Sequence, residues 1–493
     1  MKLKEIANLF SVKKTVGNMD IEITGLQMDS RKIEEGNVFI CVPGIKEFLE
    51  DRHHFAEDAV KNGAAALIVE RDVDIDVPKI FVKNARYAMA AISSHFYDYP
   101  SNEMKLIGIT GTNGKTTTSY LLEKILADYG LQTGLMGNNG IKIGTELYPT
   151  DINTQEPPIL QRNLRTMKDH QAEYCIMEVT SQGLDMGRVT GCNFKTAVFT
   201  NLTQDHLDYH GTFEEYKHTK GLFFSRLGNT FSFTDKKFAV LNADDPSIDY
   251  FQKLTSAEVI TYGIHNDADV QAKNIRLSSK GIQFVVTSFH GEAEIHLNLV
   301  GRFNIYNALA AITTSLIEGI PLEHINKSLA NVKSIDGRME IVDEGQDFLL
   351  LVDYAHTPDA LENVLSTIKE FSKGKIITVF GCGGNRDSAK RPLMGEIACR
   401  YSNFVFVTSD NPRSEDPLAI LKDIEKGMLK FDSSKYTLEV NREDAINKAI
   451  QMAAPNDIVL IAGKGHETYQ ILKDQTIHFD DKEKARKAIL HHS

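Results

Sequence analysis

The stretch that most restricts how this chain folds is Leu106-Ile-Gly-Ile-Thr-Gly-Thr-Asn-Gly-Lys-Thr-Thr-Thr118, an apolar run that breaks into a glycine-rich turn and then a helical pattern. Leu106 to Ile109 is predicted as a short buried strand. Gly111 and Gly114 permit a tight turn whose successive N–H groups point at one anion. Lys115 brings a mobile positive charge, and Thr116 a hydroxyl suited to a phosphate-bound magnesium ion. Leu121, Leu122, Ile125 and Leu126 recur at helical spacing up to Gly130, a residue suited to end a helix, so the helix's positive end faces the same phosphates. Such a loop takes a nucleoside triphosphate. The strict P-loop pattern has glycine five positions before Gly114, where this chain has Ile109, so the match is to the shorter Gly-Thr-Asn-Gly-Lys-Thr variant.

A chain of 493 residues has room for about three domains of ordinary size. With 42% hydrophobic and 25% charged residues it has the composition of a globular protein with sizeable cores. The net charge of -12 argues against a nucleic-acid or acidic-membrane partner, so anionic ligands must be held by local pockets and metals. The five cysteines, Cys41, Cys175, Cys192, Cys382 and Cys399, form no Cys-x-x-Cys pair, which favours reduced packing thiols and a cytoplasmic location. Met1 to Lys14 carries charges inside its apolar pattern and no cleavage-site signature, so it does not read as a secretory signal. No apolar run approaches the roughly 20 residues of a membrane span, and no membrane insertion is expected.

Alternating strand and helix patterns predict an α/β protein of three blocks, 1–100, 101–333 and 334–493, with Tyr99 to Glu103 as the first linker. In the first block Gly36 to Val42 and Ala64 to Val69 read as strands, and Asp29-Ser30-Arg31 as a polar turn. The second block carries expected strands at Ala172 to Val179, Thr196 to Asn201, Phe238 to Asn242 and Val259 to Gly263, which fit a mostly parallel sheet, closed by helical Asn304 to Ile317 and Leu322 to Leu329. In the third, four apolar runs, Leu349 to Val352, Ile376 to Phe380, Phe404 to Val407 and Ile458 to Ile461, each lead straight into a polar cluster. Ligands bind at the carboxyl ends of strands in an open parallel sheet, so four such clusters point to one composite site.

Glu178 lies at the end of an apolar strand, where a carboxylate is costly without a cation; the partner is a magnesium ion on the neighbouring phosphates or a core lysine. His206, in Asn201-Leu-Thr-Gln-Asp-His-Leu-Asp-Tyr-His-Gly211, is a metal ligand or a hydrogen-bonded structural residue. By composition, Lys217 and Lys220 are ordinary surface lysines of a helix.

Seven motifs in order, Thr110-Gly-Thr-Asn-Gly-Lys-Thr-Thr117, Asn201 to His210, Gly301-Arg-Phe-Asn-Ile-Tyr-Asn307, Asp353-Tyr-Ala-His-Thr-Pro-Asp359, Gly381-Cys-Gly-Gly-Asn-Arg-Asp387, Asp410-Asn-Pro-Arg413 and Gly463-Lys-Gly-His-Glu467, resemble the Mur ligase family along nearly the whole chain. The resemblance implies a UDP-sugar-binding first domain, a central P-loop-type ATPase domain with a parallel sheet, and a Rossmann-like C-terminal domain that brings the amino acid. It implies an ATP-dependent amide ligase that works through an acyl phosphate and adds meso-2,6-diaminopimelate to UDP-MurNAc-L-Ala-D-Glu in peptidoglycan synthesis, as a cytoplasmic monomer. By the same resemblance Gly111, Thr112, Asn113, Gly114, Lys115, Thr116 and Thr117 hold ATP, with Asn304, Arg338 and Asp353 on the nucleotide. Thr116 and Glu178 hold one magnesium ion, and His206 meets a second together with Lys220, which the family carries as a carbamate. Lys115, Lys220 and His206 are thereby the catalytic residues. Ser30, Thr154, Gln155, Thr180, Met186 and Arg188 fall at UDP-sugar positions, and Arg386, Asp410, Asn411, Pro412, Arg413, Gly463 and Glu467 surround the diaminopimelate. Arg413 suits a two-pronged grip on the distal carboxylate, which L-lysine lacks, and Glu467 suits the distal ammonium.

Three stretches depart from the family's pattern. Where Thr-Thr-Pro is common this chain has Asn153-Thr-Gln-Glu-Pro157, with Gln155 in place of threonine; Ser-Ser-His becomes Thr180-Ser-Gln182, and a usual glutamine is Met186. These changes keep open a related ligase with another carboxylate acceptor. A P-loop phosphotransferase or switch ATPase is an alternative of another class, which leaves the arginine-bearing clusters of the third block unexplained, and a nucleotide-binding regulator without turnover is a third.

Overall fold

The computed structural model describes residues 1–45, 48–150, 152–230, 232, 234–278 and 281–492. Among these, each of the three larger sheets draws its strands from one stretch of sequence. The first has five strands in the order Lys14–Val16, Lys79–Phe81, Ala66–Val69, Asn37–Ile40, Gly25–Gln27, all parallel except the first. Between Gly25–Gln27 and Asn37–Ile40 the Asp29 carboxylate accepts from the Arg31 N–H and caps a short 3-10 turn, Ser30–Lys32, in keeping with a polar turn.

The second sheet has eleven strands, and Lys105–Thr110 runs in its middle, parallel to Phe194–Phe199 on one side and Tyr174–Glu178 on the other. The chain therefore leaves this strand at the point where the sheet's order reverses, the place where ligands settle in doubly wound sheets. Helices Lys115–Asp128 and Phe303–Ile317 cover one face through Leu121, Leu122, Ile125, Ile305 and Leu309, and helices Pro157–Asp169 and Phe213–Ser225 cover the other through Leu160, Leu164, Phe223 and Phe224. The parallel centre matches the sequence reading, but the edges extend it. Gly140–Ile143 and Glu146–Tyr148 flank one side, and an antiparallel ribbon, Val270–Ser278, Gly281–Ser288 and Gly291–Leu297, flanks the other. In Gly281–Ser288 the core face is Ile282, Phe284 and Val286, an alternating pattern in a stretch that carries no chemistry-bearing motif.

The third sheet has six strands, Glu340–Val342, Leu349–Asp353, Ile458–Ala462, Ile376–Phe380, Phe404–Val407 and Tyr436–Leu438 in that order. The four that precede the polar clusters are mutually parallel, so all four clusters emerge at one edge. That edge is braced from beneath by Arg442. Its buried guanidinium binds the Asp481 carboxylate with two 2.7 Å contacts and donates to the carbonyls of Ser409 and Ala462, the residues just before Asp410 and Gly463. Asp481→Ala leaves that charge buried and uncompensated and is expected to cost about 3–5 kcal/mol. Urea denaturation measures it; a loss below about 1 kcal/mol, the range of an exposed pair, would show that the fold does not depend on it.

Candidate active site

The turn after Lys105–Thr110 has the backbone its glycines imply. Gly111 has φ +149° and a Cβ there would lie 1.9 Å from Thr200 Oγ1; Gly114 has φ +86° and a Cβ would lie 2.2 Å from Asn307 Oδ1. Only glycine fits both sites. The loop is pinned from the neighbouring strand end, because Asn201 Oδ1 accepts from the Asn113 N–H at 3.0 Å, the Asn201 carbonyl accepts from the Thr112 N–H at 2.8 Å, and Thr200 Oγ1 donates to the Asn113 carbonyl at 2.6 Å. Thr116 and Thr117 open the following helix, both buried, with Lys115 as its first residue.

Three positive or protonatable groups crowd this loop. Lys115 Nζ donates to the carbonyls of Gly111 and Thr112, and Lys220 Nζ donates to the same Gly111 carbonyl at 2.9 Å. Lys220 is only 1% exposed, so its reading as a surface lysine does not hold: the helix Phe213–Ser225 turns it onto the loop, while Lys217 lies over the Tyr250 ring. Burial, with Lys115 adding to it, pushes the Lys220 amine well below the usual lysine range. The half-buried His206 lies in the same electrostatic neighbourhood; burial lowers its pKa, and both lysines add to that while Asp205 opposes it. It takes a left-handed backbone, φ +53°, where the chain enters the short helix Leu207–His210.

Glu178 is 1% exposed, and its side chain accepts from the Thr116 hydroxyl (2.8 Å), the Asn138 N–H (2.9 Å) and the Asn153 amide (3.2 Å). Those donors are neutral, and no ion pair to a lysine forms among the described residues, so the core-lysine reading fails. A buried carboxylate with a hydroxyl beside it and only neutral donors suits a magnesium ion. Among the described residues no group of three or more His, Cys, Asp or Glu has ligand geometry, so protein groups of other types and ligand oxygens must complete any metal shell here.

The third block closes on the loop. Arg338 Nη2 donates to Thr116 Oγ1 at 3.0 Å and its guanidinium lies over the Tyr354 ring. Asp359 Oδ2 accepts from Asn113 Nδ2 at 2.5 Å and from the Thr203 hydroxyl at 2.9 Å. Asp353 is buried and takes the N–H groups of Met339 and Ala355; burial raises its pKa, and Arg338 opposes that. Asn304 accepts from Asn307, whose side chain abuts Gly114.

From Tyr354 the contacts continue to the cluster expected to surround the amino acid. The His466 ring lies tilted against Tyr354, centroids 5.1 Å apart, and the adjacent Glu467 accepts from Asn411 Nδ2 at 2.9 Å and from the fully buried Lys464 at 3.2 Å. Asp410 and Pro412 are buried beside them, and Gly463 packs against the Asp410 carboxylate. Arg413, with φ +54°, has only the Gly384 and Asn411 carbonyls as side-chain acceptors and no carboxylate among the described residues. Arg386 is exposed at the rim.

On the opposite flank Thr154 Oγ1 donates to the Glu178 carbonyl and accepts from the Thr180 N–H, while Gln155 bonds Thr150 and Asn163. Arg188 Nη1 donates to the Thr154 carbonyl; Met186 is buried at the end of the helix Ser181–Asp185, which also carries the half-buried Gln182. Ser30 is buried in the first block with its carbonyl bound by Asn62, and no hydrogen bond joins it to the Thr154 group among the described residues. Asp359, Asn307 and Lys464 received no role from sequence, although all three sit inside quoted motifs. Each has a neighbour outside its own motif: Asn113 for Asp359, Gly114 for Asn307 and Asn411 for Lys464.

Two family models match the chain, the Mur ligase middle domain over residues 109–315 and the Mur ligase, glutamate ligase domain over residues 337–465. A protein of Halalkalibacterium halodurans named UDP-N-acetylmuramoyl-L-alanyl-D-glutamate--2,6-diaminopimelate ligase is 50% identical over 473 residues, 96% of this chain and 95% of that protein. One of the same name from Bacillus velezensis is 49% identical over 471 residues, with coverage of 96% and 95%. A solved structure of a protein so named superposes with a TM-score of 0.69 at 32% identity over 100% of this chain and 99% of that one. A folylpolyglutamate synthase of Mycobacterium tuberculosis, 17% identical with a TM-score of 0.62 over 76% and 92% of the chains, has the same fold.

Proposed function

Because the chain belongs to the Mur ligase family of ATP-dependent amide ligases, we propose that it joins meso-2,6-diaminopimelate to UDP-MurNAc-L-Ala-D-Glu, with residues 1–100 for the UDP-sugar, 101–333 for ATP and 334–493 for the amino acid. The observation that supports this reading is the line of contacts from Thr116 through Arg338, Tyr354 and His466 to the Glu467–Asn411–Arg413 cluster, which links the phosphate loop to a guanidinium that has no carboxylate partner among the described residues.

In this mechanism the acceptor carboxylate attacks the terminal phosphorus of ATP, ADP leaves, and the acyl phosphate is captured by the diaminopimelate amine with release of phosphate. The loop N–H groups and Lys115 neutralise the phosphate oxygens, and Arg338 approaches from the other side. Thr116 and Glu178 fit one magnesium ion; His206 and a carbamylated Lys220 would hold a second. When bound, these ions supply the neutralisation a carboxylate needs to approach a triphosphate. Arg413 takes the distal carboxylate of diaminopimelate. Glu467 already pairs with Lys464, so it meets the distal ammonium as a shared carboxylate. The enzyme acts in the cytoplasm as a monomer; no helix of the described residues is long and apolar enough to cross a membrane.

Phosphate release assayed with UDP-MurNAc-L-Ala-D-Glu, ATP, magnesium and diaminopimelate is expected only with all four together. Turnover of ATP without the amine would favour a phosphotransferase, and no product with the full mixture would overturn the proposal. A different acceptor carboxylate is the second reading, favoured by Glu156, which occupies the guanidinium of Arg188.

A further inference from the structure

Where the first block meets the second, two arginines share one carboxylate. Glu156, the residue before helix Pro157–Asp169, accepts from Arg86 Nη1 at 2.9 Å through Oε2 and from Arg188 Nε at 2.9 Å through Oε1. Arg86 comes from the helix Ala85–Phe96 of the first block, so the cluster ties the two blocks together. All three side chains are at least four-fifths buried, and Arg86 Nη2 is enclosed without a partner among the described residues. Two guanidinium groups and one carboxylate leave one positive charge uncompensated. Asp185, a further carboxylate close by, is exposed and takes the Tyr209 hydroxyl.

Three successive hydrogen bonds link the cluster to the phosphate loop. Arg188 holds the Thr154 carbonyl at 3.1 Å, the Thr154 hydroxyl holds the Glu178 carbonyl at 3.0 Å, and Glu178 receives the Thr116 hydroxyl. An acceptor whose reacting carboxylate lies against the phosphate loop brings its neighbouring groups past Arg188. A dipeptide ending in glutamate would carry a second carboxylate there, and that group would meet arginines of which Arg86 Nη1 and Arg188 Nε are already bound to Glu156.

We propose that Glu156 is a carboxylate of the protein that competes for the acceptor's arginines, so that the net charge of the Arg86–Glu156–Arg188 cluster sets the affinity for an acceptor carrying a free carboxylate beside the one that reacts. Arg86 is thereby a specificity residue supplied by the first block. The inference rests on the ligase reading above, and the wild-type rate with UDP-MurNAc-L-Ala-D-Glu tests that reading first.

The test compares this acceptor with its analogue in which the non-reacting glutamyl carboxylate is a carboxamide. Glu156→Gln raises the cluster by one charge and Arg86→Gln lowers it by one, and neither removes hydrogen-bonding capacity entirely. With the carboxylate acceptor, KM is expected to fall on the order of fivefold in E156Q and to rise on the order of fivefold in R86Q. With the carboxamide it stays within about twofold in both, and KM for ATP and for diaminopimelate does not follow the charge order. Equal changes for the two acceptors, no change, or the reverse order would overturn the proposal, since a purely structural cluster answers to neither the sign nor the acceptor's charge. If one variant melts below the assay temperature, the other decides by the same acceptor comparison. A wild-type enzyme that turns over neither acceptor defeats the ligase reading itself, a result seen before any variant is made.

Discussion

Lys220→Ala is expected to abolish ligation, with kcat down on the order of a thousandfold, while the fold survives. The lysine is buried against Gly111, lies over the Tyr216 ring and makes no ion pair among the described residues, so removing it takes away one hydrogen bond and relieves a buried amine beside Lys115. The expected role is therefore chemical rather than architectural. Burial that lowers the Lys220 pKa favours the proposed carbamate, in which the deprotonated amine would add carbon dioxide and release a proton to solvent, leaving an anion where a lysine ammonium would otherwise stand. Acetate or propionate supplied to K220A would place a carboxylate in the vacated volume and restore part of the rate. Full activity in the variant, or rescue by an equal concentration of chloride, would refute the carbamate role; an unchanged urea midpoint excludes unfolding as the cause.

Arg413→Ala is expected to erase the preference for diaminopimelate over L-lysine. A charge-assisted, two-pronged contact is worth about 1.5–3 kcal/mol, so KM for diaminopimelate rises roughly tenfold to a hundredfold while KM for ATP holds. The arginine backbone sits at φ +54°, tied by its N–H to the Ile471 carbonyl at 3.1 Å, and alanine bears the same backbone strain. The substitution thus tests the guanidinium and not the turn. Competition between the two amines at fixed ATP measures it, and an unchanged preference removes Arg413 from the role.

Much of the scaffold was legible in sequence because its signals are local. The apolar run into Gly111 and Gly114, the helical spacing of Leu121 to Leu126, and four strands that end in polar clusters each need only a few consecutive residues to be read. The antiparallel ribbon at 270–297 has an equally regular alternation, yet its partners could not be chosen without the sheet it extends. Lys217 and Lys220 make the contrast sharpest. They have the same composition and share a helix, and only what packs against each face separates a lysine over Tyr250 from one driven onto the phosphate loop.

The amino-acid sequence by itself determined the chemistry available to this protein: a loop able to wrap a triphosphate, a carboxylate stranded at a strand end, and an arginine set among asparagine and proline after a parallel strand. Tertiary structure alone decided which charges meet, because those encounters join residues far apart in the chain. Asn113 finds Asp359, Thr116 finds Arg338, and Glu156 takes arginines from two blocks at once. Local periodicity fixes the face a side chain presents; whether another charge waits there depends on how separate sheets pack, and no short window of sequence contains that information.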